Sequence, residues 1–516
     1  MQILTQNPRL SAVISGLLTC YAICHIDFTS TWFCYIPLFV CIYNQSAKQA
    51  FKTAFIFGLA FSSFAFYWMI PGAERFTGNS VLYGVGIFII SAIFYASFCA
   101  VLLYCFAKLK KNDNDVRAII INSSIVSSLF CIGEALLGWI SSGFPWFDVH
   151  SGNGLAENLY TIQPASLFGM HILTFVSVTV NYLIAILAIR KLWVKLYVPV
   201  VTAMVYFFAG FFLLYNFKKN LPDNKSFDVA ILAENIPPEI VWDNTTGNML
   251  VQELLDLNHH AVRLKPGMTL WSESAIPWTY KQDDDLIKEV FRITDPAKVT
   301  HILGINTEHK QNEVFNSAYC ILPGRVVAGR YDKQHLLTFI EKPLNGWLMP
   351  FISSNGYSAL NDPDHNHPLT TPYGKAGLLI CNEAALPVAA ANQVKQGAEF
   401  LMNMSNDGWF NDTYIVRIHY YYARLRAVES RRDIAINCNN GFSGLIKASG
   451  SIEVKEKSNE PFVKMVSIQP NNYITMATAY PDVFFYCCAT YIIILAVYHL
   501  LRNHLAKRRF ATGEMF

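Results

Sequence analysis

Apolar residues fill most of the first 217 positions, in blocks about as long as a lipid bilayer is thick. A transmembrane helix needs roughly 20 consecutive apolar residues, and short polar breaks separate seven such blocks, of which the second is short. The first block predicts a retained span, because no small-residue cleavage site follows it. With a last apolar block, the pattern predicts eight spans, near 10–26, 31–45, 53–70, 81–107, 118–141, 165–188, 194–216 and 482–501.

Between the seventh and eighth blocks the pattern changes to short β-rich runs that alternate with helical runs. Runs such as FDVAILAEN and KAGLLICNE are rich in Val and Ile, end in turn residues and predict strands. The run TYIVRIHYYYARLRAVESRR predicts a long amphipathic helix. This alternation predicts an α/β sandwich with one core. We divide the chain into a seven-span bundle at 1–217, a catalytic domain at 225–475, and an eighth span with a basic tail at 482–516.

Composition supports the membrane interpretation. The chain has 516 residues, of which 53% are hydrophobic and only 15% charged, whereas soluble domains carry about 25% charged residues. Its mean hydropathy is +0.28. The formal net charge of +3 is too small to indicate a nucleic-acid partner.

The positions of the basic residues predict the orientation. Cytoplasmic loops carry an excess of Lys and Arg. One set of alternate loops holds Arg9, Lys48, Lys52, Lys108, Lys110, Lys111, Arg117, Arg190, Lys191, Lys195, Arg502, Lys507, Arg508 and Arg509, and the other set holds only Arg75. Both termini are therefore expected in the cytoplasm, with the region 225–475 on the outer side of the membrane.

The twelve cysteines predict neither a disulfide framework nor a zinc site. Nine lie in apolar runs, where cysteine behaves as a small hydrophobe: Cys20, Cys24, Cys34, Cys41, Cys99, Cys105, Cys131, Cys487 and Cys488. The other three, Cys320, Cys381 and Cys438, show no CxxC spacing. We predict no metal at the site.

Three polar residues follow predicted strands: Glu273 in LWSESAIPW, Lys333 in GRYDKQHLL and Cys381 in LLICNEA. Strand ends are where a scaffold presents catalytic groups. A nearby ammonium would lower the pKa of a thiol while a carboxylate takes its proton. The lysine and the backbone N–H of Asn382 could hold an oxyanion. Residue types alone leave open that Cys381 is a buried structural thiol.

The motifs WSES, YDKQHL, LLICNE and MSNDGWF, in this order, resemble the nitrilase superfamily with its Glu–Lys–Cys triad. The stretches GFPW at 143–146, ENIPPEIVW at 234–242 and ARLRAVE at 423–429 resemble the membrane-embedded branch, the apolipoprotein N-acyltransferases. The resemblance implies a nitrilase-like αββα sandwich attached to a multi-pass helical bundle. It makes Glu273 the general base, Lys333 the oxyanion-stabilising cation and Cys381 the nucleophile.

The resemblance also assigns two supporting carboxylates. Glu341 matches a family carboxylate beside the triad, and Glu383 matches one just after the cysteine. Three positions depart from the family pattern. Asn382 stands where a tyrosine is common, LTFIEKPLNG stands where VPFGEYVP is usual, and Leu137 stands where an arginine usually follows the glutamate, here Glu134.

The resemblance implies a two-step reaction in a bacterial inner membrane. The thiolate of Cys381 takes an acyl chain from a membrane phospholipid, and the thioester then acylates the α-amino group of a lipoprotein's N-terminal diacylglyceryl-cysteine. No cofactor is expected, and the chain is expected to act as a monomer. Two other functions remain open: a membrane-tethered amidase that hydrolyses a C–N bond, and a transporter or receptor with an inactive sensor domain.

Several aromatic residues are candidates for contact with substrate. They are Phe144, Trp146, Trp242, Phe339 and Trp409. Tryptophan is also an ordinary anchor at the membrane interface, so both interpretations stay open. Glu134, an acidic residue inside a predicted span, either serves function or braces the outer loop at SSGFPW.

Overall fold

The computed structural model describes residues 4, 6–72, 81–111, 115–221, 224–237, 240, 242–243, 245–310, 313–338, 340–342, 358–410 and 413–512. Its apolar part consists of the helices Pro8–Cys24, Phe28–Thr31, Ile36–Ile42, Ala47–Ala65, Val81–Leu109, Val116–Ile140, Ala165–Phe168, His171–Ile189, Tyr197–Asn220 and Val483–Thr512. Each predicted span coincides with helix. Among the described residues, four helices are long and apolar enough to cross a membrane: Val81–Leu109, Val116–Ile140, His171–Ile189 and Trp193–Asn220. The count of eight spans and the orientation stay predictions.

The short second block is a broken helix. Phe28–Thr31 and Ile36–Ile42 are separated by a turn, and a helix of seven residues spans only about 10 Å. The amide of Asn181 bonds to both sides of the break, accepting from the N–H of Tyr35 at 2.9 Å and donating to the carbonyl of Thr31 at 2.9 Å. Backbone groups at membrane depth need such partners because no water is present to bond them.

The sixth predicted span begins later than its hydrophobicity indicates. Ala165–Phe168 is a separate helical turn, and Gly169, with φ +69°, redirects the chain before His171–Ile189 begins. Elsewhere small residues allow close helix contact. A Cβ on Gly58 would lie 2.5 Å from the Cα of Ala96, so the helices that carry these two residues cross almost backbone to backbone.

Fifteen described strands form two sheets. They are β1 Phe227–Ala233, β2 Met268–Leu270, β3 Ile276–Thr279, β4 Thr300–Lys310, β5 Glu313–Phe315, β6 Ser317–Leu322, β7 Val326–Asp332, β8 Ser358–Leu360, β9 Leu369–Thr371, β10 Gly374–Ile380, β11 Phe400–Asn406, β12 Ile434–Asn439, β13 Phe442–Ile446, β14 Ile452–Lys457 and β15 Phe462–Ile468. One sheet has the order β15-β1-β2-β4-β5-β8, with β3 and β6 paired to β4 and β7 to β6. The other has the order β14-β13-β12-β11-β10-β9.

Alternate side chains along the strands face opposite layers. Val229 and Ile231 of β1 join a core with Leu378 and Ile380 of β10, between the two sheets. The residues between them face helices instead: Ala230 and Leu232 pack with Leu254 and Val290, and Leu379 packs with Val394. Both faces of each central strand are therefore buried, which explains their continuous apolar runs.

The resulting layers are helix, sheet, sheet and helix, as the resemblance implies. Helices Thr246–Leu264 and Asp285–Thr294 cover the first sheet, and Pro387–Lys395 and Tyr414–Ser430 cover the second. A short helix, Met476–Ala479, follows the last strand.

The helix Tyr414–Ser430 is not amphipathic in the way its sequence predicts. Nearly all of its residues are buried, because the second sheet packs on one side and the membrane helices on the other. Its charged residues find partners inside this interface. Arg426 pairs with Glu429 at 2.9 Å, whereas Arg424 donates to the carbonyl of Ala156 at 2.8 Å. This helix thus joins the catalytic sandwich to the bundle.

Candidate active site

Cys381 begins a sharp turn directly after β10. It has φ +54° and opens the 3-10 turn Cys381–Ala385. A non-glycine residue in the left-handed region is uncommon, and strained backbone of this kind clusters at active sites. The carboxylate of Glu383 closes the turn by accepting a hydrogen bond from the N–H of Ile380 at 2.9 Å.

Lys333 follows β7 and is held by two carboxylates. Its Nζ lies 2.9 Å from Oε1 of Glu341 and 3.3 Å from Oε1 of Glu273, and its side chain is only 1% exposed. The backbone N–H of Lys333 donates to the carbonyl of Asn316 at 2.9 Å. The ammonium position is therefore fixed by side-chain and backbone contacts.

Glu273 lies between β2 and β3, and both of its oxygens are bonded. Oε1 accepts from Nδ2 of Asn316 at 2.8 Å, and Oε2 accepts from the backbone N–H of Asn406 at 3.1 Å. Asn406 ends β11, the strand beside β10. Glu273 is thereby anchored to the sheet that presents Cys381.

Burial and charge act in opposite directions on these groups. Burial lowers the pKa of Lys333, but Glu273 and Glu341 outweigh it, so the pKa lies well above its usual value. Burial raises the pKa of Glu273 above its usual value, because Lys333 only partly offsets burial and Glu341 adds repulsion. The lysine is therefore cationic, and the carboxylate is more basic than an exposed one.

Lys333 lowers the pKa of the Cys381 thiol, as expected from the sequence, but other groups outweigh it. Burial and the negative charge of Glu273 raise the pKa of Cys381 well above its usual value, and Lys333 opposes them without prevailing. The resting thiol is consequently protonated, so it needs a base at the moment of attack. Glu273 is bonded to Asn406 at the end of β11, and Cys381 follows the neighbouring strand β10, so the carboxylate and the thiol lie at the same end of this sheet.

Glu383 supports the site without facing the thiol. Besides Ile380, its carboxylate accepts from the hydroxyl of Tyr331 at 2.9 Å and from the backbone N–H groups of Gln334 at 2.7 Å and His335 at 3.1 Å. These donors come from β7 and the segment after Lys333. One buried carboxylate therefore ties the lysine segment to the cysteine turn.

Asn382 and Glu341 each fix part of the same segment. Nδ2 of Asn382 donates to the carbonyl of His335 at 3.1 Å, and its buried Oδ1 has no partner among the described residues. Oε2 of Glu341 accepts from the N–H of Leu337 at 2.8 Å. Glu341 thus closes a loop behind Lys333. His335 contributes its backbone N–H and carbonyl to these contacts.

An apolar cavity lies between this site and the bundle. Ala385, from the cysteine turn, and Leu337 line it from the sandwich, and Trp146 lines it from the outer loop of the bundle. Trp68 is 6.4 Å from Trp146 between ring centroids. Phe144 packs on Trp146 at 5.2 Å. Two of the predicted substrate-contacting aromatics therefore lie at the cavity or directly behind its wall.

Of the other three aromatic candidates, one lies away from this cavity, and the side chains of the other two lie outside the described part of the chain. Trp242 packs edge-on against Trp278 at 5.6 Å, in the layer outside the first sheet and away from the lining of this cavity. The backbone of Trp409 lies in the turn Gly408–Phe410, but its side chain lies outside the described part of the chain. Phe339 lies outside the described residues altogether.

A tight contact joins the bundle to the loop of Glu341. The carbonyl of Gly143 accepts from the N–H of Thr338 at 2.9 Å. Gly143 has φ +89°, and a Cβ there would lie 2.1 Å from Oγ1 of Thr338. Only glycine fits this position without displacing the loop.

Glu134 braces the outer loop. Its carboxylate accepts from the N–H of Ser151 at 2.7 Å and from the hydroxyl of Thr174 at 2.7 Å. With His150 and His171 it places three potential metal ligands within 4.8 Å of one another. Both carboxylate oxygens already accept hydrogen bonds from the protein, so the contacts favour the bracing interpretation over a ligand site.

Sequence reasoning missed two features of the site. Asn316 orients Glu273 and reaches Glu341 at 3.4 Å. Asn316 is a polar residue between the strands β5 and β6, and this position could have marked it in the sequence as a candidate site residue. The second is an ion pair between Asp407 and His419, with 2.8 Å between Oδ1 and Nδ1. Twelve positions separate the two residues, so no local pattern indicates their contact.

Two family models match the chain: the apolipoprotein N-acyltransferase N-terminal domain over residues 15–183 and the carbon-nitrogen hydrolase over residues 229–474. The apolipoprotein N-acyltransferase of Geobacter metallireducens is 24% identical over 503 residues, 95% of each chain. That of Haemophilus influenzae is 26% identical, over 86% of this chain and 85% of its own. A solved carbon-nitrogen hydrolase from Helicobacter pylori aligns with 47% of this chain and 89% of its own, at 16% identity and a TM-score of 0.36. The chain belongs to the apolipoprotein N-acyltransferase family.

Proposed function

We propose that this acyltransferase moves an acyl chain from a membrane phospholipid, through a thioester on Cys381, to the α-amino group of a diacylglyceryl-cysteine. The observation that carries the proposal is the arrangement around the thiol. A carboxylate fixed at both oxygens and a lysine held by two carboxylates lie beside a strained cysteine. An apolar cavity lined on one side by loops of the bundle adjoins them.

In the first half-reaction Sγ of Cys381 attacks the ester carbonyl carbon of the phospholipid, and Glu273 accepts the thiol proton. The oxyanion lies between Nζ of Lys333 and the backbone N–H of Asn382. Asn382 is the second residue of the short helix Cys381–Ala385, so its N–H has no partner within that helix. Such preorganised donors contribute about 10²- to 10³-fold each to the rate. The C–O bond then breaks, and Glu273 returns the proton to the departing lysophospholipid.

In the second half-reaction the acceptor amine attacks the thioester. The same two donors hold the new oxyanion, and the C–S bond breaks as the amide forms. Glu273 passes the amine proton to the sulfur, which restores the resting thiol. Both substrates are anchored in lipid, so a cavity shared by bundle and sandwich suits both. The acyl chain lies in the cavity, with Trp146 and Phe144 at its bundle wall.

Mass spectrometry of the acyl-enzyme tests the proposal. Purified protein in phospholipid nanodiscs with a labelled acyl chain should carry the label on the peptide containing Cys381, and a diacylated lipopeptide should remove it. Cys381→Ala should carry no label, and Cys320→Ala, at another buried thiol, should carry it normally.

Label that appears equally in Cys381→Ala would refute the nucleophile assignment. Discharge to water at the same rate with and without lipopeptide would favour the amidase alternative instead.

A further inference from the structure

A histidine–aspartate pair lies beside the catalytic centre and has no part in the chemistry above. His419 is in the second turn of the helix Tyr414–Ser430, and Asp407 follows β11. Oδ1 of Asp407 is 2.8 Å from Nδ1 of His419, and it also accepts from the hydroxyl of Ser405 at 3.2 Å. A carboxylate only accepts, so Nδ1 carries the hydrogen and Nε2 of the neutral ring is left as an acceptor.

The imidazole borders the cavity beside the cysteine turn and the segment after Lys333. His419 lines the same cavity as Ala385, from the cysteine turn, and Leu337, from the lysine segment. The residue before Asp407, Asn406, donates its N–H to Glu273. The pair is therefore attached to the base on one side and open to the cavity on the other.

An acceptor that arrives as the ammonium brings one proton more than Glu273 carries. An α-amino group has an ordinary pKa of about 7.7 to 8.0, so at neutral pH it is largely an ammonium with no lone pair. It must lose one proton before attack and a second as the amide forms. Glu273 carries the second proton to the sulfur of Cys381. Lys333 is already protonated, because its two carboxylates raise its pKa. The triad leaves the first proton without an acceptor.

We propose that His419, held by Asp407, accepts this first proton from the α-ammonium of the lipoprotein. The inference rests on the proposed function. The N–H bond of the ammonium breaks, its electron pair stays on nitrogen, and the proton moves to Nε2. The neutral amine then attacks the thioester, and His419 later releases the proton to water. In this scheme His419 is a catalytic residue of aminolysis alone, and Asp407 is a positioning residue.

Other titratable groups face the same cavity. Asp148 lines it from the outer loop of the bundle, and burial raises the pKa of Asp148 to about 7, with Arg426 acting against the shift. Burial raises the pKa of Tyr414 and Tyr422, so both stay neutral at physiological pH. The charge of Asp148 therefore changes near pH 7, and Asp148 is included in the test.

The test measures discharge of preformed acyl-enzyme by a diacylated lipopeptide between pH 6 and pH 9.5. At pH 6.5 only about one amine in twenty is neutral, so His419→Gln should discharge about ten- to twentyfold more slowly than the wild-type protein. Above pH 9 the two rates should converge, because the amine is then neutral without help. Asp407→Asn should shift the profile in the same direction by less. The acyl-enzyme is formed before the measurement, so a change in the acylation rate of either variant does not enter the comparison.

Three comparisons separate this role from a structural one. Rates are normalised to acyl-enzyme, so only folded, acylated protein is counted. His260→Gln, the same change at an exposed histidine, should keep the wild-type profile. An acceptor that is already neutral at pH 7, such as hydroxylamine, should discharge His419→Gln and the wild-type protein equally.

A uniform loss in His419→Gln at every pH would overturn the proposal. So would a shifted profile in Asp148→Asn in place of His419→Gln. If the wild-type protein forms no acyl-enzyme, the proposed function itself fails. If acylation and discharge proceed normally and His419→Gln keeps the wild-type profile, only this inference fails.

Discussion

At the residue scale, the protonated resting state of Cys381 has a measurable consequence. The negative charge of Glu273 helps to raise the thiol pKa, so Glu273→Gln should lower that pKa and increase the thiolate fraction. Alkylation of Cys381 by iodoacetamide at pH 8 should therefore become severalfold faster, even as acyl transfer is lost. Mass spectrometry of the Cys381 peptide separates this thiol from the other eleven.

Glu308→Gln, at an exposed carboxylate, is the matched control and should leave the alkylation rate unchanged. Slower alkylation in Glu273→Gln across the whole pH range would contradict a charge effect of this sign.

Glu383 gives a second prediction at this scale, which concerns stability. Glu383→Gln replaces one acceptor oxygen by a donor that faces other donors, among them the N–H of Ile380 and the hydroxyl of Tyr331. An unsatisfied buried group costs about 1–3 kcal/mol, so thermal unfolding should begin at a lower temperature and acylation of Cys381 should slow at least tenfold. Glu460→Gln, at an exposed position, should change neither quantity. Normal acylation in Glu383→Gln would show that the hydrogen bonds of Glu383 do not control the geometry of the active site.

At the element scale, the contact between the outer loop and the loop of Glu341 is open to a matched glycine test. Gly143→Ala introduces a Cβ next to Thr338, so acylation should fall strongly. Gly324→Ala is the control, because Gly324 has a similar φ of +77° with nothing within 4 Å of the added Cβ. It should lose about 1 kcal/mol of stability at most and keep its activity.

Adding Thr338→Ala to Gly143→Ala removes the clashing Oγ1 and should restore part of the acylation rate. A rate in Gly143→Ala equal to that of Gly324→Ala would show that the loop contact does not control acylation.

The same scale shows why some elements were predictable and others were not. Strands with both faces buried, such as β10 and β11, have continuous apolar runs that sequence alone identifies. The helix Tyr414–Ser430 was predicted as a helix but not as a buried one, because its tyrosines and arginines are satisfied by the bundle.

Sequence motifs selected Glu273, Lys333 and Cys381 as site residues. Asn316 and Glu383 contact residues 25 and 52 positions away along the chain. His419 contacts Asp407 across the turn that connects β11 to the helix Tyr414–Ser430. No local sequence pattern encodes these contacts.

At the scale of the whole molecule, the predicted orientation is testable by protease access. An epitope inserted at the turn of Gly324, between β6 and β7, should be cleaved by protease added to intact spheroplasts. An epitope beside Lys111, in a basic loop, should be cleaved only after the membrane is permeabilised, because basic loops stay in the cytoplasm. The reverse pattern would place the sandwich in the cytoplasm and remove its access to lipoproteins on the outer side.

The charges held around Lys333 have a consequence for how long the thioester survives. One ammonium faces two carboxylates, Glu273 and Glu341, while the thiol is neutral. The centre therefore carries about one excess negative charge, and forming a neutral thioester does not change it. In a buried site such a charge attracts the ammonium form of the acceptor and repels hydroxide. The charge of the resting site therefore slows hydrolysis of the thioester relative to aminolysis. The acyl-enzyme is expected to persist in water until a lipoprotein binds.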